Sequence, residues 1–258
     1  TLRMIYRKIS DPLLAHRSDF IMTVSQSSAR DIIKYLHVKE SKVLVTPNAT
    51  NKNKFKLYND ESVQLILNKY DLSFKEYLLF VGTIDFPGKN IKVILEAFFE
   101  LKEKESITEK LVIIGKKGHN AEVIFDYVDK SPYKDQVIFT GYLPDEDLPY
   151  LYAGAKIMLY LSLYEGFGLP VLEAMSCGTP VICSNTSCFP EIVEELDVCV
   201  SPNDVNAVKE KTVKLIKDDK YRNEIAEQCY KKSIKYNWKD SAKLYNQVFE
   251  QTIEKYKK

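Results

Sequence analysis

The sequence has almost no excess of charge of either sign. It contains 37 Lys and Arg residues against 36 Asp and Glu residues, which leaves a formal net charge of +1 over 258 residues. The lysines are scattered among acidic residues, as is typical of solvated surfaces. This balance disfavours a nucleic-acid-binding protein, since such proteins normally carry a basic domain or patch.

Cysteine and histidine are too dispersed to indicate a metal site or a disulfide framework. The five cysteines include no C-x-x-C pair, and His16, His37 and His119 lie far apart along the chain. We therefore expect reduced thiols in a cytoplasmic protein, without structural disulfides or bound zinc.

Long hydrophobic segments are missing too. No apolar run approaches the ~20 residues that a membrane-spanning helix needs. The chain begins with Thr1 instead of Met and shows no signal-peptide pattern there, so we expect it to be a piece of a longer protein.

Three common catalytic signatures are absent from the sequence. It contains no G-x-S-x-G, no P-loop and no G-x-G-x-x-G. Serine hydrolases, P-loop NTPases and ordinary dinucleotide enzymes are therefore disfavoured.

What the sequence does contain is an alternation of strand and helix patterns from Val43 onward. Apolar runs at residues 77–81, 111–114 and 156–161 are typical of buried strands. The alternation predicts an α/β fold, a Rossmann-like parallel sheet with helices on both faces. Ligands of such sheets bind beyond the carboxyl ends of the strands.

One of these strands leads into a turn with two glycines. Gly166 and Gly168 precede Pro170, a residue favoured at the start of a helix. The first turn of a helix presents free N–H groups and a positive end, which favour an anion.

Two carboxylates flank this turn, Glu165 before it and Glu173 one turn into the helix. Carboxylates accept hydrogen bonds and suit sugar or ribose hydroxyls, so both could face one small cleft. An equally good interpretation from the residues alone is that Glu173 complements the helix dipole and Glu165 is solvated.

A second glycine-bearing turn, residues 82–90, also follows a predicted strand and enters a helix. Gly82 closes the strand, and Lys89 lies at the mouth of the helix. This arrangement suits a phosphate. The alternative is a lysine that simply faces solvent.

The segment Y-E-G-F-G-L-P-V-L-E-A-M-S-C-G-T-P-V-I, residues 164–182, resembles the donor-site signature of retaining glycosyltransferases of family 4, which have the GT-B fold. The resemblance runs from about Asp19 to the C-terminus. It implies a remnant of the N-terminal acceptor domain in residues 1–42, a nucleotide-sugar-binding domain in residues 43–236, and a C-terminal helix in residues 237–258 that crosses back to the first domain.

The resemblance implies transfer of a hexosyl group from a UDP- or GDP-sugar to a hydroxyl of a glycan or lipid-linked acceptor, with retention of configuration, in surface polysaccharide or glycan synthesis. No cofactor and no metal are expected. Such an enzyme would be cytoplasmic, and any contact with the membrane would be peripheral and made by the N-terminal domain. A non-catalytic nucleotide-sugar-binding subunit that needs a partner chain stays open as an alternative.

The resemblance also implies roles for individual residues. Glu165 and Lys89 are the implied catalytic residues, at the sugar hydroxyls and at the pyrophosphate. Glu173 would hold the ribose hydroxyls. Strand ends and the glycine turn supply the other donor-binding residues, namely Gly82, Tyr142, Leu143, Gly166, Phe167, Gly168 and Leu169. Tyr142 and Leu143 would hold the base, although a tyrosine at a strand end often only packs.

Two features depart from the family's pattern or compete with it. Thr83 and Gly88 stand where related sequences often carry arginine, so one cation of the phosphate site is expected to be missing or supplied from elsewhere. Asp145 and Asp147 form a D-x-D, which in a different glycosyltransferase fold would hold a metal. We expect them instead to open a helix, where acids suit the dipole.

Overall fold

The computed structural model describes residues 2–257, of which residues 2–5 are described by their backbone alone. The chain divides into two compact units. The first combines Thr1–Ala49 with Tyr236–Lys258, and the second is Thr50–Lys235.

The first unit contains four helical or strand elements from the start of the chain and one helix from its end. They are α1 (Leu2–Arg17), β1 (Ile21–Thr23), α2 (Gln26–Leu36), β2 (Val43–Val45) and α11 (Trp238–Tyr256), with a 3-10 turn at Glu40–Lys42. Helix α2 begins as its sequence predicts, because the Ser25 hydroxyl caps it and accepts from the Ser28 N–H at 3.0 Å.

The boundary between the units lies later than the predicted boundary at residue 43. Strand β2 pairs in parallel with β1, with Val43 opposite Ile21 and Val45 opposite Thr23. The Thr46 N–H continues this pairing by donating to the Thr23 carbonyl at 2.7 Å. These bonds tie β2 to the first unit, so the regular alternation that begins at Val43 does not all belong to one sheet.

Helix α11 belongs to the first unit through contacts at both of its ends. At its start, the Ser241 hydroxyl donates to the Pro47 carbonyl at 2.5 Å. At its end, the Tyr256 hydroxyl donates to Asp19 at 2.8 Å, and Lys255 pairs with the same carboxylate.

The second unit alternates strands and helices. Its elements are α3 (Asp60–Leu67), β3 (Tyr77–Val81), α4 (Ile91–Glu105), β4 (Lys110–Ile114), α5 (Glu122–Asp129), β5 (Val137–Gly141), α6 (Leu148–Gly154), β6 (Ile157–Tyr160), α7 (Leu169–Ser176), β7 (Val181–Ser184), α8 (Phe189–Val193), β8 (Cys199–Val200), α9 (Val205–Lys217) and α10 (Asp219–Ser233), with 3-10 turns at Asn68–Tyr70 and Lys134–Gln136.

These strands form one six-stranded parallel sheet in the order β5-β4-β3-β6-β7-β8. The order reverses between β3 and β6, as in doubly wound nucleotide-binding sheets, which bind ligands at that switch point. The predicted α/β class with a Rossmann-like parallel sheet is confirmed.

The core is built from the central strands and the apolar faces of the helices. Every residue of β3, β6 and β7 is buried, as expected for a parallel sheet covered on both faces. In α4, Ile91, Ile94, Leu95 and Phe98 point inward at helical spacing, as predicted. Within residues 2–257, no helix is long and apolar enough to cross a bilayer.

The loops after β3 and β4 approach each other very closely at the carboxyl edge of the sheet. Gly115 has φ 146°, and a Cβ atom there would lie 2.0 Å from the Gly82 carbonyl oxygen. Only glycine fits such a contact. The two loops are thereby held side by side at the edge where ligands of this fold bind.

Candidate functional site

Three polar side chains meet at the carboxyl edge of β6. Lys89 Nζ lies 2.5 Å from Glu165 Oε1 and 3.3 Å from the Tyr160 hydroxyl oxygen. The Tyr160 hydroxyl donates to the same carboxylate oxygen at 3.0 Å. The two predicted catalytic residues are therefore in direct contact, and the Tyr160 hydroxyl lies beside both.

Lys89 reaches this cluster from the turn before α4. The turn is closed by Asp85, whose Oδ1 accepts from the Lys89 backbone N–H at 2.8 Å. The Lys89 side chain is only 22% exposed and the Glu165 side chain 19%. The alternative of a lysine that simply faces solvent is wrong for this structure.

Tyr160 was not singled out from the sequence. It is the last residue of β6 and is buried, stacking on Phe80 with ring centroids 5.6 Å apart. Burial, followed by the Glu165 carboxylate, raises the pKa of Tyr160, so its hydroxyl stays neutral. A polar atom on the last residue of a strand in a parallel sheet was the signal that could have found it.

The glycine turn leads directly into helix α7. Gly168 has φ 84°, and a Cβ there would lie 2.8 Å from Phe189 Cε1. Helix α7 begins at Leu169, directly after it. Phe167 is buried, whereas Gly166 is exposed. The Val171 N–H donates to the Gly168 carbonyl at 3.0 Å, so the helix starts directly on the turn and its positive end faces it.

A cavity of about 320 Å³ lies at the carboxyl ends of β3, β4 and β5. Its lining is mainly apolar and comprises Val81, Gly82, Thr83, Ile114, Gly115, Lys116, Tyr142, Leu143, Asp145 and Leu148. Tyr142 is 75% exposed and Leu143 is buried, so the two predicted base-binding residues contribute a rim and a wall. A Cβ at Gly82 would lie 3.8 Å from the Tyr160 hydroxyl, which places the cavity next to the Lys89 cluster.

Glu173 lies in a different environment from Glu165. It accepts a hydrogen bond from the Tyr152 hydroxyl at 2.9 Å. Burial raises the pKa of Glu173 from 4.5 to about 7, although this hydrogen bond and then the charge of Lys54 oppose the rise. The nearby Asp145 charge, which also acts on Glu173, belongs to the cavity lining. Glu173 is thus partnered by Tyr152, whereas Glu165 is partnered by Lys89 and Tyr160.

The two acids of the D-x-D are held by separate partners. Asp147 is buried, accepts from the Tyr70 hydroxyl at 2.6 Å and pairs with Lys69 at 3.1 Å. Asp145 is exposed and lies 3.9 Å from Lys54. Within the part of the chain that the structure describes, no group of three or more His, Cys, Asp and Glu residues is placed to hold a metal ion.

Comparison with protein families identifies the group to which this chain belongs. The family model described as "Glycosyl transferases group 1" matches residues 66–232, which contain the six-stranded sheet and all the residues of the site. The chain belongs to this family.

Among curated relatives of this group 1 glycosyltransferase chain is "O-antigen chain mannosyltransferase B" of Escherichia coli. It is 34% identical over 220 residues, which are 85% of this chain and 57% of the relative. The chain thus spans little more than half of that relative's length.

Solved structures share the fold. A sucrose-phosphate synthase from Thermosynechococcus elongatus superposes with a TM-score of 0.83 at 22% identity, over 96% of this chain and 62% of that one. HepE of Anabaena, crystallised with UDP-glucose, gives a TM-score of 0.82 at 17% identity, over 96% and 68% of the two chains. Both are glycosyltransferase-type neighbours of the GT-B fold.

The raised pKa of Glu173 predicts a pH-dependent stability. Between pH 4.5 and about 7 the folded chain keeps a proton that the unfolded chain has released, so this group's contribution to stability falls as pH rises. Glu173→Gln removes the buried charge and still accepts from Tyr152. Its free energy of unfolding should match that of wild type near pH 4 and exceed it at about pH 8 by up to about 3 kcal/mol, which appears as a higher Tm.

Thermal melts across this pH range measure the effect. Tyr152→Phe is the matched control: it keeps the carboxyl but loses the hydrogen bond that lowers its pKa, so its pH transition should move upward. A Tm difference between wild type and Glu173→Gln that is the same at all pH values would contradict the assignment.

Proposed function

We propose that the chain is the donor-binding part of a retaining glycosyltransferase that takes a hexosyl group from a UDP- or GDP-sugar. The observation that carries the proposal is the meeting of Lys89, Tyr160 and Glu165 beside the glycine turn, next to an apolar cavity. One end of this arrangement suits a nucleoside, and the other suits a pyrophosphate and a sugar.

Transfer of a hexosyl group leaves a nucleoside diphosphate that carries developing negative charge. In the proposal, Lys89 and the positive N-terminal end of helix α7 stabilise this charge. Groups that are already in place before the reaction cost no reorganisation in the transition state. Phosphate binding draws Lys89 away from Glu165, which then accepts hydrogen bonds from the sugar hydroxyls.

The nucleoside would lie in the cavity. Leu143 and the glycine edges of β3 and β4 offer an apolar slot for a flat base, with Tyr142 at its rim. Glu173, which feels the charge of the cavity residue Asp145, would accept from the ribose hydroxyls. Thr83 and Gly88 supply no cation to this site, so Lys89 is the cation that the proposal relies on.

The identity of the sugar, the type of acceptor and the stereochemistry of the transfer are proposed as well. The E. coli relative, an O-antigen chain mannosyltransferase, favours a mannosyl group and an O-antigen chain as the acceptor. HepE was crystallised with UDP-glucose, so a UDP-sugar is the second candidate donor. Retention of configuration is proposed from the signature in residues 164–182, and the anomer formed in the product, measured by NMR, tests it.

Lys89→Ala should weaken the binding of UDP or GDP about tenfold to hundredfold, because a charge-assisted contact to phosphate is lost. Calorimetry with each nucleotide measures this. Lys92→Ala is the matched control, since Lys92 lies three residues further on, in the first turn of α4, but is 42% exposed and pairs with Glu96 at 3.6 Å. Equal affinities in Lys89→Ala and wild type would remove the phosphate role.

The two glutamates should be separable by ligand. Glu173→Gln should weaken both the free nucleotide and the intact nucleotide sugar about tenfold, because the ribose is common to both. Glu165→Gln should leave free nucleotide binding undiminished, because it releases Lys89 from its ion pair, and should weaken only the intact donor. Loss of free nucleotide binding in both variants would show that these roles are wrongly assigned.

Donor binding should not require a divalent cation. Lys89 and the helix-end amides take that role in the proposal, so calorimetry in EDTA should give the same affinity as calorimetry with added Mg²⁺ or Mn²⁺. Binding that disappears in EDTA and returns with the metal would instead favour a metal site at Asp145 and Asp147, and Asp145→Asn should then abolish the effect.

A further inference from the structure

The loop that follows β6 runs alongside the loop that follows β7. The backbone register of the two strands extends as far as Tyr160 opposite Cys183. Just beyond it, the Ser184 hydroxyl donates to the Ser162 carbonyl at 2.8 Å. Both serines are fully buried. The Ser184 hydroxyl thus extends the hydrogen bonding between β6 and β7 past the end of β6, toward the loop that carries Glu165.

The hydroxyl of Ser187 extends this connection to Glu165. Ser187 Oγ accepts a hydrogen bond from the Glu165 backbone N–H at 3.0 Å. The same hydroxyl donates to the Glu165 carbonyl oxygen at 2.6 Å. One side chain therefore satisfies both backbone polar groups of Glu165 and fixes the position of its Cα atom.

Ser187 makes these contacts from an unfavourable backbone conformation. Its φ is 59°, in the left-handed region that residues with a Cβ rarely occupy. Glycine would adopt this conformation without strain. Strained residues persist where the surrounding structure holds them, often at functional sites, and the two hydrogen bonds to Glu165 are among the contacts that hold this one.

We propose that Ser187 is a positioning residue for Glu165 in the donor complex, an inference that rests on the proposed function. In the free chain, the Glu165 carboxylate is also held at its tip by Lys89 and Tyr160. A bound pyrophosphate competes for Lys89. The backbone contact with Ser187 is independent of that competition, so it keeps the carboxylate directed at the sugar hydroxyls.

Calorimetry with paired ligands tests the proposal on the full chain. UDP is compared with UDP-glucose, and GDP with GDP-mannose. Ser187→Ala should change the affinity for the free nucleotide by less than about twofold and reduce the affinity for the sugar-bearing donor about threefold to tenfold, as expected for loss of a neutral hydrogen bond.

Three further variants separate positioning from general loosening of the loop. Ser187→Gly removes the hydroxyl but relieves the backbone strain, and it should behave as Ser187→Ala does. Thr186→Val is the matched control, because its hydroxyl lies at the longer distance of 3.4 Å from the Leu163 carbonyl, and it should retain donor preference. Added to Glu165→Gln, Ser187→Ala should cause no further loss, since both act through one carboxylate.

Hydrogen exchange supplies a readout that needs no ligand. The Glu165 amide should exchange about tenfold faster in Ser187→Ala than in wild type, because its acceptor is gone. Unchanged exchange, or unchanged donor preference in Ser187→Ala while Glu165→Gln loses it, would overturn the proposal. A wild-type chain that binds no nucleotide sugar would contradict the proposed function instead, and the exchange rate would still decide whether Ser187 holds Glu165.

Discussion

The contact between Lys89 and Glu165 joins residues that are 76 positions apart in the chain. It depends on the parallel pairing of β3 with β6, in which Leu78 lies opposite Ile157 and Leu79 opposite Met158. Because these strands are neighbours, the turns after them open at the same edge, at the point where the strand order reverses. Every polar group of the candidate site depends on this pairing.

The ion pair at this edge combines close contact with partial exposure. Partly buried charges interact more strongly than surface charges, yet each also loses part of its hydration, so the net gain is modest. The Lys89–Glu165 ion pair can therefore be replaced by contacts with other groups at little cost in free energy. In the proposed function, a pyrophosphate would pair with Lys89, while neutral sugar hydroxyls would donate hydrogen bonds to the Glu165 carboxylate.

The two glutamates of the signature share a motif but have different electrostatic surroundings. Glu165 has a cation at 2.5 Å and a neutral tyrosine hydroxyl beside it. Glu173 has a buried tyrosine hydroxyl as its near partner, and burial raises its pKa to about 7. The two carboxylates thus have separate partners, Lys89 and Tyr160 for Glu165 and Tyr152 for Glu173.

Local sequence patterns determined the strands, the helix that follows the glycine turn and the types of side chain near it. Apolar runs such as residues 77–81 predict buried strands because a parallel sheet covered on both faces tolerates few polar residues. The glycine turn could be recognised from its glycines, and the structure shows why one is needed, because Gly168 has φ 84°. Within these limits the α/β class followed from the sequence alone.

Only the tertiary structure decided which of these residues meet. The strand pattern at Val43–Val45 is the same whether it pairs with β1 or joins the large sheet, and backbone register assigned it to β1. The partners of Glu173 and Glu165, together with the contribution of Tyr160 and Ser187, arise between segments distant in sequence. Local periodicity describes which face of an element is buried, but strand order and register determine which faces touch.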